Sequence, residues 1–341
     1  MCRKRIAVLL TMLIAMITLT TGCGGEDSAD KSAKNPANNL VIYTSMKESL
    51  IGGIVAGFKQ KYPNIEVDYQ SAGAGKIMAK LDAERQSGQI MADIIWTSEV
   101  PDFYQMRKEG LLEKYQPANF DELLNPFDDY DGSFTAARLG TLGIVINTDA
   151  VQNPPTSWEE IATGSDYKNG FGIADPALSG TAYMSVALLD KQFGWGYLER
   201  LQANGTVKSK GSGRVVEDTA NGTLKACLGV DYITASKIDK GDPLKMVYPP
   251  ELIMVPSPIA IFNQSKHMDA AKKFVDYIMT QEAQQKVADA GTVPVRRDVT
   301  MPEKYNLPDP ETALNHCIKI SYTEILPHKD ETIKKFSELF K

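Results

Sequence analysis

The chain has little of what metal centres, covalent catalysis and nucleic-acid binding need. It has three histidines, His267, His316 and His328, and no Cys-x-x-Cys pair, so no zinc constellation is spelled out. Its four cysteines are Cys2, Cys23, Cys227 and Cys317. That is no disulfide framework: Cys227 and Cys317 either pair in an oxidising compartment or stand as separate buried thiols. A Gly-x-Ser-x-Gly elbow is missing, which argues against a serine hydrolase. Gly73-Ala-Gly75-Lys76 looks like a phosphate loop, but Gln70 stands where that loop needs Gly and Ile77 where it needs Ser or Thr. Positive charge is also short, with 37 Lys+Arg against 43 Asp+Glu and a net charge of −6. A nucleic-acid partner, which needs basic patches, is not expected.

What is present begins at the N-terminus. Arg3, Lys4 and Arg5 precede an apolar run from Ile6 to about Leu19, too short to span a bilayer comfortably, and Leu19-Thr20-Thr21-Gly22-Cys23 closes it. This ending resembles the lipobox of bacterial lipoproteins, with Thr20 where Leu is more usual. The resemblance implies that residues 1–22 are a signal peptide and that Cys23 becomes the lipidated N-terminus. Residues 23–38 are polar and rich in Gly, Ser and Asn, and they read as a flexible tether. Without the signal the chain has 34 Lys+Arg against 43 Asp+Glu, a net charge of −9. The remaining three hundred or so residues suffice for two cored lobes.

Strands and helices then alternate. Leu40–Tyr43, Ile65–Tyr69 and Ala92–Trp96 read as strands, followed by helices carrying Leu50 to Phe58, Ile77 to Leu81 and a start near Pro101. A second run has strands at Leu142–Asn147 and Gly172–Ala174, a helix opening at Ser157, and a long helix from Ser179 to about Leu201. Strands at Leu224–Asp231 and Met246–Tyr248 follow. Ile259–Phe262 crosses back to helices at 268–279 and 281–290. The pattern predicts an open, mostly parallel α/β sheet covered by helices.

Chemistry concentrates where strands end and helices begin. Ser45, Ser71 with Gly73, Thr97 with Ser98, and Ser179-Gly180-Thr181 all occupy such junctions. Free N–H groups at helix N-termini, with hydroxyls beside them, form a cradle for an anion, and ligands of open α/β sheets lie beyond the strands' carboxyl ends.

The segments LVIYTSMKESLIGGIVAGFKQKYPNIEV, ADIIWTSEV, ARLGTLGIVINT, DPALSGTAY, KMVYPPE, PSPIAIF, KKFVDYIMTQEAQ and GTVPVRRDV resemble solute-binding proteins of ABC importers. The subgroup is the one with ferric-iron, hexose-phosphate and aminoethylphosphonate binders. The resemblance implies a type II periplasmic-binding-protein-like fold, two-lobed, each lobe a mixed sheet flanked by helices, with a hinge between them. Lobe 1 would be residues 39–135 plus 257–300, and lobe 2 residues 136–256 plus 301–341.

It also implies a non-enzymatic receptor, monomeric, anchored outside the cytoplasm, without a cofactor. That receptor would capture a phosphorylated or phosphonate solute and deliver it to a permease and its ATPase. The ligand-binding residues expected are Ser45, Ser71, Gly73, Thr97, Ser98, Ser179, Gly180, Thr181, Asp231 and Glu251. Iron-binding members use an adjacent Tyr-Tyr pair, of which the first is Asp231 here and the second Tyr232; Tyr43, Tyr183 and Tyr248 would complete an iron site. Hexose-phosphate members place acids where Asp231 and Glu251 stand, with a His where this chain has Val230. Both acids are therefore expected in an open cleft, receiving a hydroxyl or amine. The alternatives are a ferric-iron receptor or a lipid-anchored surface protein unrelated to transport.

Overall fold

The first strand, β1 (Asn39–Thr44), pairs in parallel with β2 (Glu66–Ser71) and β3 (Ile94–Trp96). These belong to a computed structural model that describes residues 39–341; the signal, Cys23 and the tether lie outside the described residues. Helix α1 (Glu48–Lys61) buries Leu50, Ile51, Ile54, Val55 and Phe58, the stripe its spacing predicts. Helix α2 (Ala74–Gln86) buries Ile77 and Leu81, and α3 (Val100–Lys108) starts with Pro101 in its first turn, where a missing N–H costs nothing.

Strand β4 (Thr135–Asn147) is buried along its whole length and begins seven residues before the predicted Leu142. After α4 (Trp158–Thr163), whose Ser157 cap accepts from the Glu160 N–H, comes β5 (Phe171–Ala174). The single helix expected from Ser179 to Leu201 is two, α5 (Gly180–Phe193) and α6 (Trp195–Ala203), because Gly194 between them takes a left-handed φ of +75°. Next are β6 (Val207–Ser209), α7 (Ser212–Ala220), β7 (Ala226–Val230), α8 (Asp231–Ile238), β8 (Leu244–Val247) and β9 (Ile253–Ile261). Helices α9 (Met268–Ile278), α10 (Gln281–Asp289), α11 (Pro310–His316), α12 (Tyr322–Ile325) and α13 (Lys329–Leu339) complete the chain. Among the described residues no helix is long and apolar enough to cross a membrane.

The strands form one sheet in the order β2-β1-β3-β9-β4-β7-β5-β6, with β8 on β4. It is mixed and not mostly parallel: β9 runs antiparallel to β3 and β4, and β4 runs antiparallel to β7 and β8 as well. Those two long strands join the two groups of short parallel ones. Their register slips between Ala136 and Leu139, opposite Pro256 and Pro258. Prolines cannot donate to a ladder and are tolerated where pairing is already broken, and a bulge re-aims the side chains it contains. Arg138 lies inside this bulge.

Cys227 and Cys317 are separate and buried, which settles the open pairing; burial pushes the Cys227 thiol up to about 12. The C-terminal segment touches elements of both sheet halves. Lys329 pairs with Asp102 of α3 at 2.6 Å and with Glu99, and the Tyr183 hydroxyl of α5 donates to the Ile325 carbonyl at 3.3 Å.

Candidate functional site

A cavity of about 530 Å³ opens where the first turns of several helices converge. One side is made by the ends of β1, β2 and β3 and the starts of α1 and α2: Ser45, Lys47, Ser71 to Ala74, Lys76 and Ser98. The other is made by the starts of α5, α7 and α8: Leu178 to Thr181, Lys210 to Arg214, Val230, Tyr232 and Ile233. Arg138 lies at the junction. The N-cap residues of α1, α2 and α7 are Lys47, Gly73 and Gly211, and none supplies a side-chain cap. Their first N–H donors are left for something else, and they carry the partial positive charge of the helix end.

The hydroxyls are organised. Ser45 accepts from the Ser98 N–H at 3.3 Å, and the Ser98 hydroxyl meets Ser257 at 2.8 Å and Arg138 at 3.4 Å. Opposite, the hydroxyls of Ser179, Thr181 and Ser212 form a triangle with sides of 2.8–3.0 Å. Ser179 also caps α5, accepting from the Ala182 N–H. Ser71 is already committed, donating to the Met46 carbonyl at 2.6 Å.

Arg138 is the buried cation of the cavity wall. It is fully buried, its Nη1 donates to Asp231 at 3.1 Å and to Thr292 at 2.6 Å, and its Nε has no partner. Its guanidinium sits 4.9 Å from the Tyr232 ring. A Cβ on Gly140 would come within 2.3 Å of Arg138 Nη1, so the glycine leaves the room the guanidinium fills. A buried donor without a partner is costly, and this one is left unsatisfied within the fold.

Of the residues expected from sequence, Ser45, Ser71, Gly73, Ser98, Ser179, Gly180, Thr181 and Tyr232 line the cavity. Three do not. Thr97 is buried beneath it, its hydroxyl accepting from the Glu99 N–H at 3.5 Å. Glu251 is away from the cavity, its carbonyl accepting from the Trp158 indole at 2.9 Å. Asp231 corrects the expectation of an open-cleft acid: it is fully buried and accepts from Arg138, from the Thr141 N–H at 2.8 Å and from Thr292. Its role here is to hold Arg138. Sequence reasoning missed Lys47, Lys76, Arg138, Lys210, Ser212 and Arg214. The tyrosines of an iron site are not gathered either: Tyr43 donates to Glu84, Tyr183 to Ile325, and Tyr248 bonds with Thr141. Among the described residues no group of His, Cys, Asp and Glu is placed to hold a metal ion.

The two sides touch at glycines. A Cβ on Gly73 would lie 2.5 Å from the Leu178 carbonyl oxygen, one on Gly75 2.7 Å from that of Ala177, and one on Gly180 2.8 Å from Glu99 Cβ. Behind Gly180, burial pushes the Glu99 carboxyl up to about 7; Asp102 adds repulsion and Lys329 offsets part of it. Burial raises Asp102 too, while for Lys329 the two acids outweigh burial and raise it. The folded chain thus keeps a proton on Glu99 that the unfolded chain sheds near the ordinary value of 4.5. Folded protein binds more protons between those two values, so stability falls as pH rises through that window. Glu99→Gln is expected to gain melting temperature relative to the parent as pH goes from 5 to 8; a difference independent of pH would mean that Glu99 is ionised throughout.

Three comparisons give this site its context. The model of the bacterial extracellular solute-binding protein family matches residues 53–311, and the chain belongs to that family. A Salmonella typhimurium protein, named as a proposed 2-aminoethylphosphonate-binding periplasmic protein, is 26% identical over 259 residues, 72% of this chain and 74% of its own. Among solved structures, the periplasmic binding protein AfuA of Actinobacillus pleuropneumoniae with fructose-6-phosphate bound is 24% identical. It superposes with a TM-score of 0.73 over 89% of this chain and 98% of its own. Iron-bound HitA of Pseudomonas aeruginosa gives the same TM-score at 20% identity, over 89% and 99%. The fold is the α/β fold of type II periplasmic binding proteins. The chain is accordingly an extracytoplasmic solute-binding component of ABC transport, and not an enzyme.

Proposed function

We propose that this receptor captures a small phosphorylated or phosphonate solute in the cavity and hands it to an ABC permease with its ATPase, while tethered to the membrane through lipid on Cys23. The observation that carries the solute class is Arg138, buried with an unpartnered Nε among hydroxyls and uncapped helix N-termini. Such donors match the oxygens of a tetrahedral anion. Capture is by closure of lobe 1 (39–135 with 257–300) on lobe 2 (136–256 with 301–341), with the β4/β9 bulge as hinge. In that role the chain acts as a monomer. Ferric iron is disfavoured because, of the four tyrosines considered, only Tyr232 lines the cavity.

Calorimetry tests the solute. The Ser179 hydroxyl is expected to contribute a charge-assisted bond of about 1.5–3 kcal/mol, so Ser179→Ala should weaken an organophosphate about tenfold or more. Equal binding of that solute and its dephosphorylated form would remove the reading, as would a reddish ferric complex bleached by Tyr232→Phe. The anchor is tested separately. Cys23→Ser should abolish lipid labelling and leave the protein as released or uncleaved precursor.

A further inference from the structure

The cavity presents cations and no carboxylate. Lys47, Lys76 and Lys210 all line it, and none forms an ion pair among the described residues. Two other lining cations are offset, Arg138 by Asp231 and Arg214 by Asp218 at 2.7 Å. Two acids behind the walls are engaged elsewhere: Asp231 serves Arg138, Thr141 and Thr292, and Glu99 meets Lys329. Three ammonium groups are therefore left for whatever fills the space. All three are exposed to solvent, and a solute that covers them without an anionic partner would take unpaired positive charge out of water, which is costly.

The donors also come in two sets. Lys76, Ser45 and Ser98 belong with the first wall, Lys210 lines the second together with Ser179, Thr181 and Ser212, and Arg138 lies at the junction. Lys47 reaches between them, its Cε 4.0 Å from where a Gly213 Cβ would be. Both walls thus offer donors and unpaired ammonium groups to an anionic solute.

We propose that the solute is a bifunctional anion, a phosphate or phosphonate whose far end carries a second anionic group, and that a solute ending in an ammonium group is rejected. This rests on the organophosphate reading above and narrows it. It runs against the hydroxyl or amine end expected from Asp231 and Glu251, neither of which lines the cavity.

The test is calorimetry of the full chain with four probes at one ionic strength. Glycerol 3-phosphate carries one anionic group, 3-phosphoglycerate adds a carboxylate, fructose 1,6-bisphosphate a second phosphate, and 2-aminoethylphosphonate an ammonium. At least one two-anion probe should bind about tenfold or more tighter than glycerol 3-phosphate, and the aminophosphonate should be the weakest of the four. Which two-anion probe wins distinguishes a carboxylate from a second phosphate. Lys210→Gln should shrink the ratio between the winner and glycerol 3-phosphate. If 2-aminoethylphosphonate binds as tightly as glycerol 3-phosphate, or two anions gain nothing over one, the inference is overturned and the organophosphate reading stands. If none of the four binds, that reading falls and takes the inference with it.

Discussion

Arg138→Met should abolish measurable solute binding and also destabilise the fold, by about 3–5 kcal/mol, because it strands Asp231 as a buried charge without its cation. The two effects can be separated. In the double variant Arg138→Met/Asp231→Asn the stranded charge is gone, and the amide that replaces the carboxylate still has the Thr141 N–H to accept from, so most of the stability should return. Binding should not return, since no guanidinium meets the solute. Thermal melting of both variants beside calorimetry with the parent's best organophosphate reads out each arm. If the double variant binds as the parent does, Arg138 only braces the sheet, and the unpartnered Nε faces nothing.

How much of this was legible in the sequence depended on whether the signal was local. Ser45, Ser98 and Ser179 were found because hydroxyls at strand-to-helix junctions are recognisable within a few residues, and the junctions are set by the apolar runs beside them. Arg138 was not found, since it sits in a stretch that reads as the approach to a strand starting at Leu142; only the antiparallel pairing with β9 extends β4 back to Thr135 and puts a bulge around the arginine. Asp231 was noticed but given the wrong task. Its partners Arg138, Thr141 and Thr292 are 93, 90 and 61 residues away, and nothing at the aspartate itself announces them. Lys210 to Arg214 were missed for another reason. Lys-Gly-Ser-Gly-Arg reads as loop, and β6, three residues long, exists because it pairs with β5 and not through its own propensity. The mostly parallel sheet failed likewise, since strand direction is decided by the crossing strands and not by any one segment.

The glycines give the second large effect. Gly73 has φ −60° and ψ +146°, a conformation open to any residue, so what it supplies is space and not backbone freedom. The same holds for Gly180, in the first turn of α5 and opposite Glu99 Cβ, an atom that cannot swing aside as the end of a long side chain would. If lobe closure brings these surfaces together only when solute is bound, a methyl group on each penalises the closed state alone. Overpacking typically costs about 1–3 kcal/mol per site. Gly73→Ala/Gly180→Ala should then weaken solute binding by about a hundredfold or more while leaving the unliganded melting temperature near that of the parent. Small-angle scattering should find the parent contracting on addition of solute and the variant contracting less at equal concentration. The opposite pattern is as informative. A drop of the unliganded melting temperature together with unchanged scattering would mean that the walls stay in contact without solute, and that the glycines are packing for a rigid cavity instead of clearance for a moving one.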